Sequence, residues 1–138
     1  MLSLFGCSVR HPYEFWGEED KIEKIEIIKC RYYIFDEVIT GFDYDIICRV
    51  DDTQAFLYDF SKLTCYLVLY DPRSAFRENH EDVAIKMTYT DGSYEVINPY
   101  GQSTFDSHDN SYDAYYGIYS FDNEEFNSLI DKYQMSNN

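Results

Sequence analysis

Basic residues are scarce in this sequence, which contains 11 Lys and Arg against 26 Asp and Glu and has a net charge of −15 at pH 7. Beyond Met87, Lys132 is the only Lys or Arg. A field of this sign repels nucleic-acid phosphates and anionic membranes and attracts basic proteins. The charge therefore predicts no nucleic-acid or membrane partner and favours a basic protein partner, although solubility alone would explain the same composition.

Sequence patterns that mark metal, redox and nucleotide sites are also missing. The cysteines, Cys7, Cys30, Cys48 and Cys65, include no C-x-x-C pair, and their spacings match no zinc motif. The 6 glycines are scattered and form no phosphate-binding loop. No apolar run approaches the roughly 18 residues of a membrane span, and no signal-peptide pattern is present. These absences predict a cytoplasmic protein with reduced thiols and without a metal or cofactor.

Aromatic residues, by contrast, are abundant, with 15 Tyr, 10 Phe and 1 Trp among 138 residues. A chain of this length is typical of one domain, and we expect residues 1–138 to form a single globular unit. Because most of the tyrosines fall in alternating, strand-like segments, their rings are expected to build the core of a small sheet. A tyrosine-rich contact surface is the alternative interpretation, since tyrosine is enriched at protein interfaces.

The first half of the chain alternates between apolar and polar residues in a way that predicts strands. Segments 22–29, 32–39 and 44–50 each show the two-residue period, and Thr40-Gly41 is expected to end the second of them. Residues 65–70 are almost continuously apolar and too few for a helix, so they predict a buried strand. A polar loop is expected over residues 71–82.

Two segments predict helices. Residues 52–62 carry apolar side chains at helical spacing, and Asp51 or Asp52 is placed to cap the first turn. Residues 122–133 follow Phe121 and begin with Asp122 and Glu125 at capping-box spacing. Phe121 and Phe126 stand at the positions of a hydrophobic staple.

Residues 83–97 predict a β-hairpin around Asp91-Gly92, a dipeptide that suits a two-residue type I′ turn. Ile85, Met87 and Tyr89 are expected to face the core. The turn type implies a register with the cross-strand pairs Tyr89–Tyr94, Thr88–Glu95 and Met87–Val96. Residues 98–113 are polar enough to predict a long loop, and residues 114–121 predict a further strand.

The element order predicts an α+β single domain with a largely antiparallel sheet of about seven strands and two helices, at about 52–62 and 122–133. This order is similar to that of the pleckstrin-homology-like barrel, with one extra helix after the third strand. A curved sheet wrapped on a helix, as in cystatin-like folds, is an open alternative. The resemblance concerns element order alone and implies no function.

Catalytic motifs are missing as well, and the oxygen-rich loop around Asp106, His108 and Asp109 is the nearest approach to a metal site. Its donors fail the EF-hand pattern, because Gly117 stands where a bidentate Glu is required and Ser111 stands where Gly is required. No serine-nucleophile signature is present either. The sequence therefore predicts no catalytic or metal residue and favours a non-enzymatic role over an enzyme whose site only the fold would create.

The composition leads to the hypothesis of a non-enzymatic acidic interaction protein, such as a bacterial immunity or antitoxin-type protein that neutralises a basic partner. The alternative is a small-ligand or peptide-binding module in a barrel or curved sheet. For the first hypothesis, the expected partner-binding residues lie in the C-terminal half and are Asp106, His108, Asp109, Asp113, Tyr112, Tyr115, Tyr116 and Tyr119.

Overall fold

The computed structural model describes residues 13–35, 38–67, 81–99, 101–116 and 119–136. In chain order the elements are a 3-10 helix (Glu19–Lys21), β1 (Ile22–Phe35), β2 (Val38–Arg49), α1 (Thr53–Phe60), β3 (Cys65–Leu67), β4 (Glu81–Tyr89), β5 (Tyr94–Asn98), β6 (Gly101–Asp106), β7 (Ser111–Tyr116), β8 (Tyr119–Phe121) and α2 (Asn123–Ser136). Six strands form one sheet in the order β2-β1-β4-β5-β6-β7, and β3 pairs with β8. The predicted antiparallel α+β class with two helices is confirmed.

The six-stranded sheet is open. Its edge strands β2 and β7 approach within 8 Å between Cα atoms, but no strand pairing joins them in the described part of the chain. A barrel requires that its first and last strands share hydrogen bonds. The predicted pleckstrin-like barrel is therefore not confirmed, and a curved open sheet describes the molecule.

Two long strands replace the three that the alternation predicted before α1. β1 continues through Cys30 and Arg31 to Phe35, and β2 then pairs with it from Val38 to Arg49. Gly41 lies inside β2, opposite Tyr33, and does not end a strand. The predicted breaks were wrong because strand pairing continues through them: Cys30 and Arg31 pair with both β2 and β4, and Gly41 pairs with Tyr33. A glycine within a strand weakens it but does not by itself end it.

The helices agree closely with prediction, because their signals are local. α1 follows Asp52, whose carboxylate accepts a hydrogen bond from the Ala55 amide at 3.0 Å. Asp122 caps α2 in the same way through the Glu125 amide, also at 3.0 Å. α2 extends to Ser136, three residues past the predicted end. The Phe121 and Phe126 rings lie 5.7 Å apart, as the staple requires.

The β4–β5 hairpin has a different turn and register from those predicted. The Gly92 amide donates to the Tyr89 carbonyl at 3.0 Å, the Tyr89 amide donates to the Ser93 carbonyl at 2.8 Å, and Gly92 has φ of 92°. A three-residue loop of this kind is a type I turn followed by a glycine bulge. The register therefore shifts by one residue, and Met87 stands opposite Glu95. The expected burial of Ile85, Met87 and Tyr89 is confirmed.

Residues 98–113 were wrongly predicted as a loop. They contain β6 and the start of β7, joined by a turn in which Asn110 has φ of 56°. Gln102, Ser103 and Thr104 are buried although they are polar. The Gln102 side chain donates to Glu95 and to the Glu14 carbonyl. Because these buried residues are polar, the segment carries little of the apolar alternation by which a strand is recognised.

β3 corresponds to the beginning of the predicted buried strand 65–70, but its surface is open. Tyr66 and Leu67 are 53% and 65% exposed, because β3 belongs to the small sheet with β8 and not to the large one. Residues 68–70 of that prediction lie outside the described residues, as does most of the predicted loop 71–82. Its last two residues, Glu81 and Asp82, open β4.

Both faces of the six-stranded sheet are covered by buried side chains. The helical face packs against α1 and α2 and consists of Ile25, Ile27, Ile85, Met87 and Ile97. The opposite face carries a smaller cluster that consists of Ile28, Cys30, Tyr32, Ala84 and Val96. The two faces thus separate a large helix-packed core from a small one on the other side of the same strands.

Candidate functional site

Three turns meet at one end of the six-stranded sheet: the 3-10 helix before β1, the β4–β5 turn and the β6–β7 turn. The Thr90 amide in the β4–β5 turn donates to the Lys21 carbonyl at 3.0 Å, which ties this turn to the 3-10 helix. The Ser107 hydroxyl in the β6–β7 turn donates to the Asp91 carbonyl at 2.9 Å. The three segments are therefore joined by hydrogen bonds although they are far apart in sequence.

This end of the sheet is rich in carboxylates, and we call it the acidic end. The Asp91 side chain is 46% exposed, the Asp106 side chain is 35% exposed, and the other four members are exposed. The cationic candidates within the same turns are Lys21 and His108, whose ring is 71% exposed. The acidic end consists of Glu18, Glu19, Asp20, Asp91, Asp106 and Asp109.

Local hydrogen bonds keep the charges of two of these carboxylates in place. The hydroxyl and amide of Ser93 donate to Asp91 and lower the pKa of that carboxyl. The hydroxyl and amide of Ser111 lower the pKa of Asp109 in the same way. Hydrogen bonds to the ionised form favour it, so both groups carry full charge at neutral pH.

A cleft of about 380 Å³ opens at the acidic end, between the segment that precedes β1 and the β4–β5 turn. Its walls include two aromatic residues, the half-buried Trp16 and the buried Tyr89, and three charged residues, Glu18, Lys21 and Asp91. Trp16 and Tyr89 have ring centroids 6.0 Å apart. The cleft therefore combines an aromatic wall with charges of both signs, carboxylates being the more numerous.

A buried carboxylate under the cleft holds this arrangement together. Glu95 is 0% exposed and accepts hydrogen bonds from the Tyr13 hydroxyl at 2.6 Å and the Trp16 amide at 3.0 Å. It also accepts from the Tyr89 hydroxyl and the Gln102 amide nitrogen. Burial raises the pKa of Glu95, and the hydrogen bonds oppose that rise. Residues 13–17 are thereby fastened to β4, β5 and β6.

Gly17 lets the chain pass close to Tyr89. The Gly17 amide donates to the Tyr89 hydroxyl at 3.1 Å. A Cβ atom at this position would lie 2.7 Å from the Tyr89 ring, closer than real contacts allow. Because that ring is itself fixed by Glu95, the absence of a side chain at Gly17 is what permits the segment to form the wall of the cleft.

The structure places the predicted partner-binding residues in two separate regions. Asp106, His108 and Asp109 lie together at the acidic end, where the His108 Nδ1 is 3.2 Å from the Asp106 carboxylate. Tyr112 packs against the cluster on the opposite face of the sheet. Tyr119 is only 4% exposed in the helix-packed core, and its hydroxyl accepts from the Glu14 amide at 3.2 Å.

The remaining predicted residues belong to β7. Asp113, Tyr115 and Tyr116 stand opposite three residues of β6, namely Thr104, Gln102 and Gly101. Their backbone positions run away from the β6–β7 turn, so the eight predicted residues do not form one patch around that turn.

The sequence reasoning missed four carboxylates and one aromatic residue of the acidic end: Glu18, Glu19, Asp20, Asp91 and Trp16. The acidic run at 18–20 beside the only tryptophan was visible in the sequence, but it indicated no more than a solvated loop. Its contact with the β4–β5 turn depends on a hydrogen bond between distant residues, which no local pattern encodes.

A second group of charges lies on the opposite face. Lys86 and Glu26 are 6% and 5% exposed, and the Lys86 Nζ is 3.6 Å from the Glu26 carboxylate. The Lys86 Nζ also lies 3.3 Å from the Thr88 hydroxyl and 4.5 Å from the centroid of the Tyr94 ring. These charges are turned toward one another under the surface, an arrangement that suits support of the sheet better than contact with a partner.

Thiol chemistry is disfavoured at two of the cysteines. Burial raises the pKa of Cys30 and of Cys65 to about 12. Since the thiolate is the nucleophilic form, both side chains remain protonated and unreactive at neutral pH. Among the described residues, no group of three or more His, Cys, Asp and Glu is arranged to hold a metal ion.

Comparisons with known proteins add no function. No protein-family model matches the chain, and neither curated proteins nor solved structures include a significant match. Within the described residues, neither helix has both the length and the apolar character that crossing a membrane requires.

Proposed function

We propose that this protein is a non-enzymatic interaction protein that binds a basic protein partner through its acidic end. The observation that carries the proposal is the convergence of six carboxylates, from three separate turns, on one end of the sheet. Clustered charge of one sign creates a local field that steers an oppositely charged protein into contact.

The acidic end is also held in shape before any partner arrives. Hydrogen bonds join its three turns, and Glu95 fastens the segment that carries Trp16 and Glu18. Asp91 and Asp109 retain their charge because their serine neighbours lower the pKa of each carboxyl. A surface ordered in advance loses less conformational entropy on binding, and this supports a role in recognition.

Within this proposal, the partner class that fits best is a basic toxin such as a nuclease, which would make this chain an immunity or antitoxin-type protein. A protein that holds nucleic acid needs a cationic surface for the phosphates. An acidic protein that covers that surface competes directly with the substrate. The alternative of a ligand module inside a barrel gains no support from an open sheet whose two faces are filled with side chains.

The test compares two variants that lose the same amount of charge. The first neutralises the acidic end outside the cleft with Glu19→Gln, Asp106→Asn and Asp109→Asn. The matched control carries Asp45→Asn, Glu124→Gln and Asp131→Asn, three exposed residues of β2 and α2. The partner is captured from native host lysate on the wild-type protein, identified by mass spectrometry, purified, and titrated against each variant at two salt concentrations.

We expect the acidic-end variant to bind at least about tenfold more weakly, with a shallower salt dependence, because several charges act together. The control is expected to stay within about twofold of the wild type, since exposed charges outside the interface contribute little. Equal weakening of the two variants would show that net charge, and not this surface, governs binding. An acidic or neutral partner would overturn the proposal.

A further inference from the structure

We propose that the cleft between Trp16 and the β4–β5 turn is the subsite of the acidic end that receives an arginine side chain of the basic partner. This inference rests on the proposed function and names the contact at which the partner is recognised. The expected occupant is a guanidinium group because the cleft combines aromatic residues with carboxylates, and arginine is the side chain that interacts favourably with both.

The aromatic wall suits the flat guanidinium. Trp16 is half-buried and lines the cleft, and tryptophan is the most favourable aromatic partner for a cation. The volume of about 380 Å³ leaves room for a guanidinium and its methylene stem. An arginine stem packs along apolar surface while its charged end reaches polar groups, which matches a cleft with Trp16 and Tyr89 in its walls.

Asp91 supplies the principal carboxylate. Its Oδ1 accepts hydrogen bonds from the Ser93 amide at 2.9 Å and from the Ser93 hydroxyl. Its Oδ2 lies 3.9 Å from the exposed His108 ring, beyond hydrogen-bond distance. The Asp91 side chain is 46% exposed, so this oxygen is accessible to a donor from outside. Glu18, also exposed, provides a second carboxylate in the wall of the cleft.

Among the described residues that line the cleft, Lys21 is the one cation, and its removal is expected to change the affinity for arginine in the opposite direction to removal of Asp91. Glu18 and Asp91 together exceed its charge by one unit, so the cleft as a whole attracts a cation. Removing Lys21 would strengthen that attraction, whereas removing Asp91 would weaken it. A site for an anion would respond in the reverse order.

The walls of the cleft are fixed by the buried network beneath them. Glu95 holds the Trp16 amide, the Tyr89 hydroxyl holds the Gly17 amide, and the Lys21 carbonyl holds the Thr90 amide. Arginine entry therefore requires no rearrangement of the backbone. Such preorganisation is what allows one inserted side chain to dominate an interface.

Binding at the cleft can be followed by tryptophan fluorescence, because Trp16 is the only tryptophan in the chain. We would titrate the protein with the capped tripeptide Gly-Arg-Gly and follow the fluorescence of Trp16. The same peptide with citrulline removes the charge and keeps the shape, and a Gly-Lys-Gly peptide keeps the charge in a different geometry. We expect saturable binding of the arginine peptide, about threefold weaker binding of the lysine peptide, and none of the citrulline peptide.

Single substitutions then assign the binding to the cleft. Asp91→Asn is expected to weaken the arginine peptide about fivefold, while Lys21→Gln strengthens it about twofold. Asparagine keeps the oxygen that accepts from Ser93, so the turn is retained, and urea unfolding checks the fold of each variant. Asp131→Asn on α2 is the control and is expected to leave the affinity unchanged. Equal binding of the citrulline peptide, or no effect of Asp91→Asn, would overturn the proposal.

Titration of the purified partner separates failure of the cleft from failure of the proposed function. The double variant Glu18→Gln with Asp91→Asn is compared with the matched double variant Asp45→Asn with Asp131→Asn. Loss of partner binding in the first pair alone, by about tenfold, supports the cleft as the contact point. The other outcome is that the double variant still binds the partner, whereas neutralising Glu19, Asp106 and Asp109 abolishes binding. That result would overturn the cleft as the contact point and would still support partner binding at the acidic end.

Discussion

Two buried carboxylates, Glu95 and Glu26, show how differently the two faces of one sheet accommodate a charge. Glu95 is 0% exposed on the helical face and accepts four hydrogen bonds, from Tyr13, Trp16, Tyr89 and Gln102. Glu26 is 5% exposed on the opposite face and lies 3.6 Å from the Lys86 ammonium. Its Oε1 has no hydrogen-bond partner in the described chain. The first charge is satisfied by hydrogen bonds, and the second by a nearby charge.

The difference determines what each carboxylate does for the fold. The donors to Glu95 come from β4, from β6 and from the segment before β1, so this side chain organises the chain around the cleft. Glu26 and Lys86 stand opposite each other on neighbouring strands and form a cross-strand pair. Hydrogen bonds to an ion are directional and hold several segments in place, whereas a charge pair at 3.6 Å mainly compensates its own burial.

The largest expected effect comes from removing the carboxylate that accepts four bonds. Glu95→Ala leaves the Tyr13 and Tyr89 hydroxyls and the Gln102 amide without their acceptor, and each buried unsatisfied donor is costly. We expect the free energy of unfolding, measured by urea denaturation, to fall by about 4 kcal/mol. Trp16 fluorescence should shift to that of an exposed indole at the same time, because the Trp16 amide loses its anchor.

A loss below about 1 kcal/mol would contradict the organising role of Glu95, since an average point substitution costs as much. Ser128→Ala on the exposed side of α2 is a control in which both stability and fluorescence should remain within error.

The second prediction concerns the charge pair. Lys86→Met leaves Glu26 buried without its nearer cation, and we expect the free energy of unfolding to fall by about 3 kcal/mol. The double variant Glu26→Leu with Lys86→Met removes both charges together and should return to within about 1 kcal/mol of the wild type. Urea unfolding of the three proteins gives the coupling energy directly. If the double variant is less stable than Lys86→Met, Glu26 is held by more than its pairing with a cation.

The smallest expected effect is a dependence on pH. Burial raises the pKa of Glu95 above its ordinary value of 4.5. The folded chain then binds more protons at this group than the unfolded chain does, so its contribution to stability grows as pH falls through the raised pKa and levels off near 4.5. We expect the stability difference between the wild type and Glu95→Gln to move in favour of the wild type over that interval.

Comparing the two proteins at each pH removes the contributions of other carboxylates. Asp91 and Asp109 have lowered pKa values and act in the opposite direction, because their contribution is lost only as pH falls below the ordinary aspartate value. A stability difference that stays constant between pH 7 and 4.5 would mean that Glu95 titrates as an ordinary carboxylate.

Features encoded by neighbouring residues were predictable from the sequence, and features that depend on distant contacts were not. Asp122 and Glu125 mark the start of α2 within one turn of chain, and the helix begins there. Asp91-Gly92 fits both a type I′ turn and a type I turn with a glycine bulge, so the dipeptide located the hairpin without fixing its register. Glu95 was consequently assigned to the wrong face of the sheet.

The candidate site depends even more on contacts between distant residues, and less of it was predictable from the sequence. Asp106, His108 and Asp109 were selected from the sequence and do lie at the acidic end, because they share one turn. The cleft beside them was not predictable, since Trp16 is held there by contacts between residues far apart in sequence, such as the bond of its amide to Glu95. Gln102 and its neighbours in β6 were mistaken for a loop because they are polar although they are buried. The bond of the Gln102 side chain to Glu95 joins neighbouring strands, and no local pattern encodes it.

The four hydrogen bonds of Glu95 also differ in the length of the chain loop that each of them closes. Tyr89 and Gln102 are six and seven residues away, within reach of two adjoining hairpins. Tyr13 and Trp16 are 82 and 79 residues away. Closing the longer loop costs about 2 kcal/mol more in chain entropy than closing the six-residue one. The strands can therefore supply half of the donors while the chain is still largely open, and the wall of the cleft is added only when the beginning of the chain returns to the sheet.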